Sequence, residues 1–207
     1  MNSQSGDHSP GLREFMQHEE QREVECQAYL ERANALLAPP MSRVIQTVRE
    51  QVAMAGRSDY FFICEVAEIE LRRRLILWEA KAPQLPPFEV ITQNRLIPTR
   101  ALVEAENQLL YYFDEYRSNG QLLDRYRIRH PNDVRLGGII IGRDDNLVRP
   151  KASIELSQEA LRQMAWSAIR IRNEHFYRDQ IRILTWDRIA DVVLAPAPGQ
   201  IPNAITV

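Results

Sequence analysis

Lysine is almost missing from this chain. Of 26 cationic side chains in 207 residues, only Lys81 and Lys151 are lysine, and the rest are arginine. A compositional bias of the genome explains that imbalance as well as any functional demand. Yet a lysine inside an apolar segment of such a chain suggests a need for a compact ammonium at position 81. Cysteine is scarce too. Cys26 and Cys64 lack metal-ligand spacing and read as reduced thiols within the fold. The four histidines, His8, His18, His130 and His175, show neither metal nor triad spacing. No glycine-rich phosphate loop is present, because Gly137-Gly138 precedes an apolar run without a following Gly-Lys. No apolar run approaches the roughly 20 residues that cross a bilayer. The polar first eleven residues lack the apolar stretch of a signal peptide, so a cytoplasmic protein without a membrane partner is expected. The net charge of −2 does not advertise a nucleic-acid binder. Acidic residues gathered for a metal would, however, offset basic ones elsewhere.

What is present supports one domain. Residues 1–11 read as a disordered leader, 12–195 as the folded domain and 196–207 as a flexible Ala-Pro-rich tail. A helical pattern runs from Leu12 to about Leu37 and ends at Pro39-Pro40. Met41 to Ala55 reads as a second helical or mixed stretch. Asp59 to Val66 is aromatic and β-branched, hence a strand, and Glu70 to Lys81 reads as its antiparallel partner. Pro83, Pro86 and Pro87 force a loop. Residues 99–117 form an amphipathic helix with Leu102, Ala105, Leu109 and Phe113 on one stripe. Asn119-Gly120 marks its end or the following turn. Gly137 to Gly142 reads as a buried strand, Ser157 to Tyr177 as a helix, Ile181 to Thr185 as a last strand and Trp186 to Leu194 as a last helix. This order predicts an α/β domain with a mixed central sheet flanked by helices.

The chemistry-bearing residues are Asp59, Glu79 and Lys81. On a strand, positions i and i+2 share a face roughly 6.5–7 Å apart. Glu79 and Lys81 therefore follow Leu75 and Leu77 on one face, while Ile76, Trp78 and Ala80 take the other. Charges at the end of so apolar a strand are costly unless paired or metal-bound. Two carboxylates meeting at one sheet end would suit Mg²⁺ or Mn²⁺. A lysine beside them could orient a water and stabilise charge on a phosphorane, the needs of phosphodiester hydrolysis. A Glu-x-Lys triplet is otherwise a common surface ion pair.

The runs Ser58-Asp59-Tyr60-Phe61 and Leu77-Trp78-Glu79-Ala80-Lys81-Ala82-Pro83 resemble the catalytic hairpin of the Shedu anti-phage nuclease domain. Glu23 to Leu37 is similar to that family's first helix. Ala105 to Tyr112, containing Gln108 and Tyr111, is similar to a later one. Gly138 to Arg143 and Ile181 to Asp187 resemble its last two strands. The match spans residues 19 to 194, with each motif short and the order carrying the weight. The resemblance implies a restriction-endonuclease-like PD-(D/E)XK core, a divalent metal, DNA cleavage, a homo-oligomer and a role in bacterial defence. By position, Asp59 and Glu79 would hold the metal and Lys81 would be the catalytic lysine. Glu23 and Gln108 would be supporting residues. Arg143 stands as a candidate phosphate contact or a surface charge. Helix phase leaves open whether Glu23 or Glu25 faces the site. The alternative is an inactive copy of the fold used for binding or assembly.

Overall fold

The computed structural model describes residues 11–18, 20, 23–53, 56–67, 71–178 and 180–194, with the backbone alone for 49–53, 56–61, 67 and 71. The proposed leader, apart from Gly11, and the proposed tail lie outside the described residues. Five strands form one sheet in the order β1-β2-β3-β6-β8. β1 (Ser42–Ala53), β2 (Gly56–Ala67) and β3 (Leu71–Ala80) make an antiparallel meander. β6 (Val134–Ile140) then lies parallel to β3, and β8 (Arg182–Leu184) parallel to β6. The sheet is mixed, as expected from the sequence, and β3 is where its direction changes.

Each face of the sheet carries its own core. Alternation along β3 sends Leu75 and Leu77 to one side and Ile76, Trp78 and Ala80 to the other. The first side packs against α4 (Arg100–Ser118) and α6 (Gln158–Ile171) through Leu102, Ala105, Leu109, Leu161, Ala165 and Ile169. The second packs against the N-terminal helices and α7 (Trp186–Val193) through Leu12, Met16, Leu30, Leu37, Trp186 and Ile189. Thr99 starts α4, accepting from the Leu102 N–H and donating to the Pro86 carbonyl at 2.8 Å. That bond ties the helix to the loop after β3. Buried Tyr112 and Tyr116 extend the apolar stripe, whereas Phe113 is only partly buried.

Several sequence expectations are corrected. The stretch from Met41 is a strand, not a helix: Val44, Ile45, Thr47, Val48 and Val52 are β-branched, and pairing with β2 decides the matter. Leu12 to Leu37 is not one helix. It holds α1 (Leu12–Gln17), α2 (Glu23–Gln27), a 3-10 turn at Leu30–Ala33 and α3 (Asn34–Leu37). The proline-rich loop contains a hairpin, β4 (Phe88–Thr92) and β5 (Arg95–Pro98). β4 also pairs in parallel with β7 (Val148–Arg149), making a second sheet of three strands. Asn119 both closes α4 and caps α5 (Gly120–Arg125), accepting from the Leu122 N–H at 3.0 Å. α6 passes into a π-turn over Arg172–Phe176, inside the expected helix.

Gly137 and Gly138 serve packing. The β3–β6 register shifts between Leu77 and Trp78, leaving Gly137 as the extra residue of a bulge. A Cβ on Gly137 would lie 2.2 Å from the Trp78 indole nitrogen, and one on Gly138 would lie 2.0 Å from the Arg182 carbonyl oxygen. The diglycine thus admits a fully buried tryptophan between two strands.

Candidate active site

β3, β6 and β8 end side by side, and open α/β sheets place ligands at such carboxyl ends. There the backbone N–H of Lys81 donates to Ile140 O at 2.8 Å, extending the ladder one residue past the strand. The Trp186 indole N–H donates to Lys81 O at 2.7 Å. Lys81 is thereby clamped on both main-chain groups, so its side chain leaves the sheet in a fixed direction.

That side chain meets two partners. Lys81 Nζ lies 2.6 Å from Glu79 Oε1 and donates to Gln108 Oε1 at 2.6 Å. Glu79 is 1% exposed. It follows Leu75 and Leu77 on the α4 face, and Gln108 comes from α4 itself, on an exposed position of the helix. A carboxylate this deep needs a cation, and Lys81 supplies one.

The opposite layer contributes Glu23. Its Oε2 accepts from the N–H of Ala82 at 3.1 Å, and Gln27 Nε2 donates to its Oε1 at 3.5 Å. Residues from both layers therefore meet at the end of β3. Gln27, 4% exposed, belongs to the run that resembles the family's first helix but carries no site role in the sequence reading, although its i+4 spacing from Glu23 was the available signal. Trp186 gave no local sign of reaching Lys81, because the contact spans 105 residues.

Asp59 lies on β2, one residue beyond the Tyr60–Trp78 pair, and Glu79 lies one residue beyond the same pair on β3. The two backbones are neighbours at this end of the hairpin. Arg143 follows β6 and lies beside the N-terminal segment. Its Nη1 donates to Met16 O at 2.8 Å, and its Nε stands 3.2 Å from Asp145 Oδ1. Met16 O and Phe15 O also accept from Gln84, which locks the loop after β3 to α1. Asp187, at the start of α7, accepts from the Asp144 N–H at 2.7 Å. Burial pushes its carboxyl pKa up, and the charges of Asp144 and Asp145 push the same way. The Asp144 N–H and Arg143 pull it down.

The contacts thus bring together Glu23, Glu79, Lys81 and Gln108, and hold Arg143 in a neighbouring cluster. Fold and site define a mixed α/β protein with a buried carboxylate–ammonium pair where its parallel strands end. No family model and no curated protein matches this chain.

Proposed function

We propose that this chain is a metal-dependent deoxyribonuclease built on a restriction-endonuclease-like core. The observation that carries the reading is the 2.6 Å pairing of Lys81 with a carboxylate that is 1% exposed. A surface ion pair needs no such burial, whereas a site that must hold a cation and a water does. Among the described residues no three His, Cys, Asp or Glu side chains could hold a metal ion together. In this reading Glu79 and Asp59 would be the two carboxylate ligands of a cation that completes its shell with water, as Mg²⁺ and Mn²⁺ do. When bound, the ion would polarise the phosphoryl oxygen and lower the pKa of a water.

The chain's own residues have separable tasks in this reading. Lys81 orients the attacking water and offsets charge on the phosphorane. Gln108 holds the ammonium in place. Glu23 fixes the backbone at Ala82 and so the direction in which Lys81 leaves the strand. Arg143 contacts a DNA phosphate. The resemblance to Shedu nucleases supports DNA as substrate, a homo-oligomer, a cytoplasmic setting and a role against phage. Among the described residues no helix is long and apolar enough to cross a membrane.

Calorimetric titration with Mn²⁺ tests the ligand set: wild type binds and Glu79→Gln binds at least tenfold more weakly. Plasmid nicking then tests the activity, with Lys81→Ala expected to abolish it. A second reading, an inactive binding module of the same fold, is favoured by the way Lys81 already occupies Glu79. It is the reading that remains if both proteins titrate alike and neither nicks DNA.

A further inference from the structure

β8 ends the five-strand sheet. β6 lies on one side of it, and among the described residues no strand pairs with the other. Successive residues of a strand turn their main-chain groups to opposite edges. Leu184 O accepts from the Ile141 N–H at 3.0 Å, so Leu184 faces β6 and Ile183 faces outward. The next outward carbonyl, Thr185 O, accepts from the Ile189 N–H in the first turn of α7. Ile183 is therefore the residue of β8 at which the sheet could grow.

One side chain occupies both of its main-chain groups. The Ile183 N–H donates to Asn173 Oδ1 at 2.9 Å, and Asn173 Nδ2 donates to Ile183 O at 3.5 Å. A carboxamide carries the same donor and acceptor as a peptide group. Asn173 thus stands where the peptide group of a sixth strand would stand. It belongs to the π-turn after α6, and that turn is itself fixed. The Tyr177 N–H donates to Arg172 O at 2.8 Å, and Arg172 Nη1 donates to Glu106 Oε1 of α4 at 2.5 Å.

We propose that Asn173 closes this edge against a second copy of the chain, whose own β8 would otherwise pair with it. An open strand edge is a template for another strand, and two copies offering the same edge can pair about a two-fold axis. Sheets blunt such edges with charge, proline or bulges. The run Ile181-Arg182-Ile183-Leu184-Thr185 has no proline and one charge. That charge is drawn away, because Arg182 donates to Leu37 O at 3.0 Å and stacks on Trp78 at 5.1 Å. What remains is β-branched, apolar and prone to pairing, with the Asn173 carboxamide as its cover.

The test compares wild type with Asn173→Ala, as full chains without metal or DNA, by light scattering over a concentration series and by amide exchange at Ile183. Wild type should protect the Ile183 N–H at every concentration. In dilute Asn173→Ala that amide should exchange roughly tenfold faster, as loss of one hydrogen bond implies. On concentration the variant should gain mass over wild type and regain protection at Ile183. Should alanine unfold the chain, Asn173→Gln, which keeps an amide but overshoots the edge by a methylene, carries the same expectations. Unchanged mass with fast exchange would overturn the proposal, since the edge would be open and nothing would add to it. So would added mass without protection at Ile183, which places the contact elsewhere, or rapid exchange at Ile183 in wild type. None of these outcomes depends on the nuclease reading.

Discussion

Glu23 Oε2 accepts a hydrogen bond at 3.1 Å from the backbone N–H of Ala82, a residue with no exposed surface. A short helix on one face of the sheet is thereby joined to the residue after Lys81. Removing the acceptor leaves a buried donor unmet, at a cost of about 1–3 kcal/mol. Glu23→Ala should lower stability by that amount and Glu23→Gln by less, because the amide oxygen still accepts. Glu25→Ala should fall within about 0.5 kcal/mol of wild type. Denaturant melts of the three variants check the ordering. Equal losses at both positions would return the choice between Glu23 and Glu25 to where helix phase left it.

The Glu79–Lys81 pair makes a sharper prediction. Breaking a buried pair from one side strands the other charge, costing about 3–5 kcal/mol. Lys81→Met should approach that loss in metal-free buffer, and the double variant Glu79→Gln with Lys81→Met should recover most of it. A double-mutant cycle by urea unfolding reads the coupling. Strictly additive losses would mean that the two groups do not depend on each other.

At the diglycine, two neighbours should respond differently. Gly137→Ala drives a methyl into the Trp78 ring, and overpacking of this kind costs about 1–3 kcal/mol. Pairing it with Trp78→Leu should relieve the clash, so the double variant should melt above Trp78→Leu plus an independent loss. Gly138→Ala meets the Arg182 backbone, which cannot be trimmed. No change at Trp78 should rescue it. Thermal melts of the single and double variants decide.

Both cysteines are free and buried. Burial pushes the Cys26 thiol up to about 12, with Glu25 and Glu23 adding to the effect. Burial raises Cys64 as well. Neither thiolate is available near neutral pH, so Ellman's reagent should react slowly with the folded chain and rapidly with both thiols in denaturant. A fast native phase would contradict the burial of either residue.

Asp187 gives a pH dependence. Burial raises its carboxyl above the ordinary value in the folded state, so the folded chain binds that proton more readily than the unfolded one. Stability from this group therefore falls as pH rises through the window above the ordinary Asp pKa, and grows as pH drops. As pH rises above the ordinary Asp pKa of about 3.9, the difference in melting temperature between wild type and Asp187→Asn should widen in favour of the asparagine. A constant difference would remove Asp187 as the source.

The fold could be read from the sequence where local pattern and tertiary pairing agree. Parity along Leu75 to Lys81 separates the two cores and puts Glu79 and Lys81 together. The Leu102, Ala105, Leu109 stripe finds α4. β1 was missed because its β-branched residues are interleaved with Arg43, Gln46 and Arg49, and only β2 makes that pattern a strand. β4 and β5 were hidden by the prolines around them, though Val90, Ile91 and Thr92 are good strand residues and Asn94 sits in the turn. Within the site, Glu79 and Lys81 are two residues apart and so were visible. The contacts from Gln27, Gln84 and Trp186 are set by how layers dock, which no short window contains.

The clamp of Trp186 on Lys81 has a consequence during synthesis. Lys81 leaves the ribosome some hundred residues ahead of the indole that holds its carbonyl. Nascent chains that stop short of the last helix would carry the ammonium without its anchor. Whatever chemistry resides at that strand end is thus deferred until translation has passed residue 186.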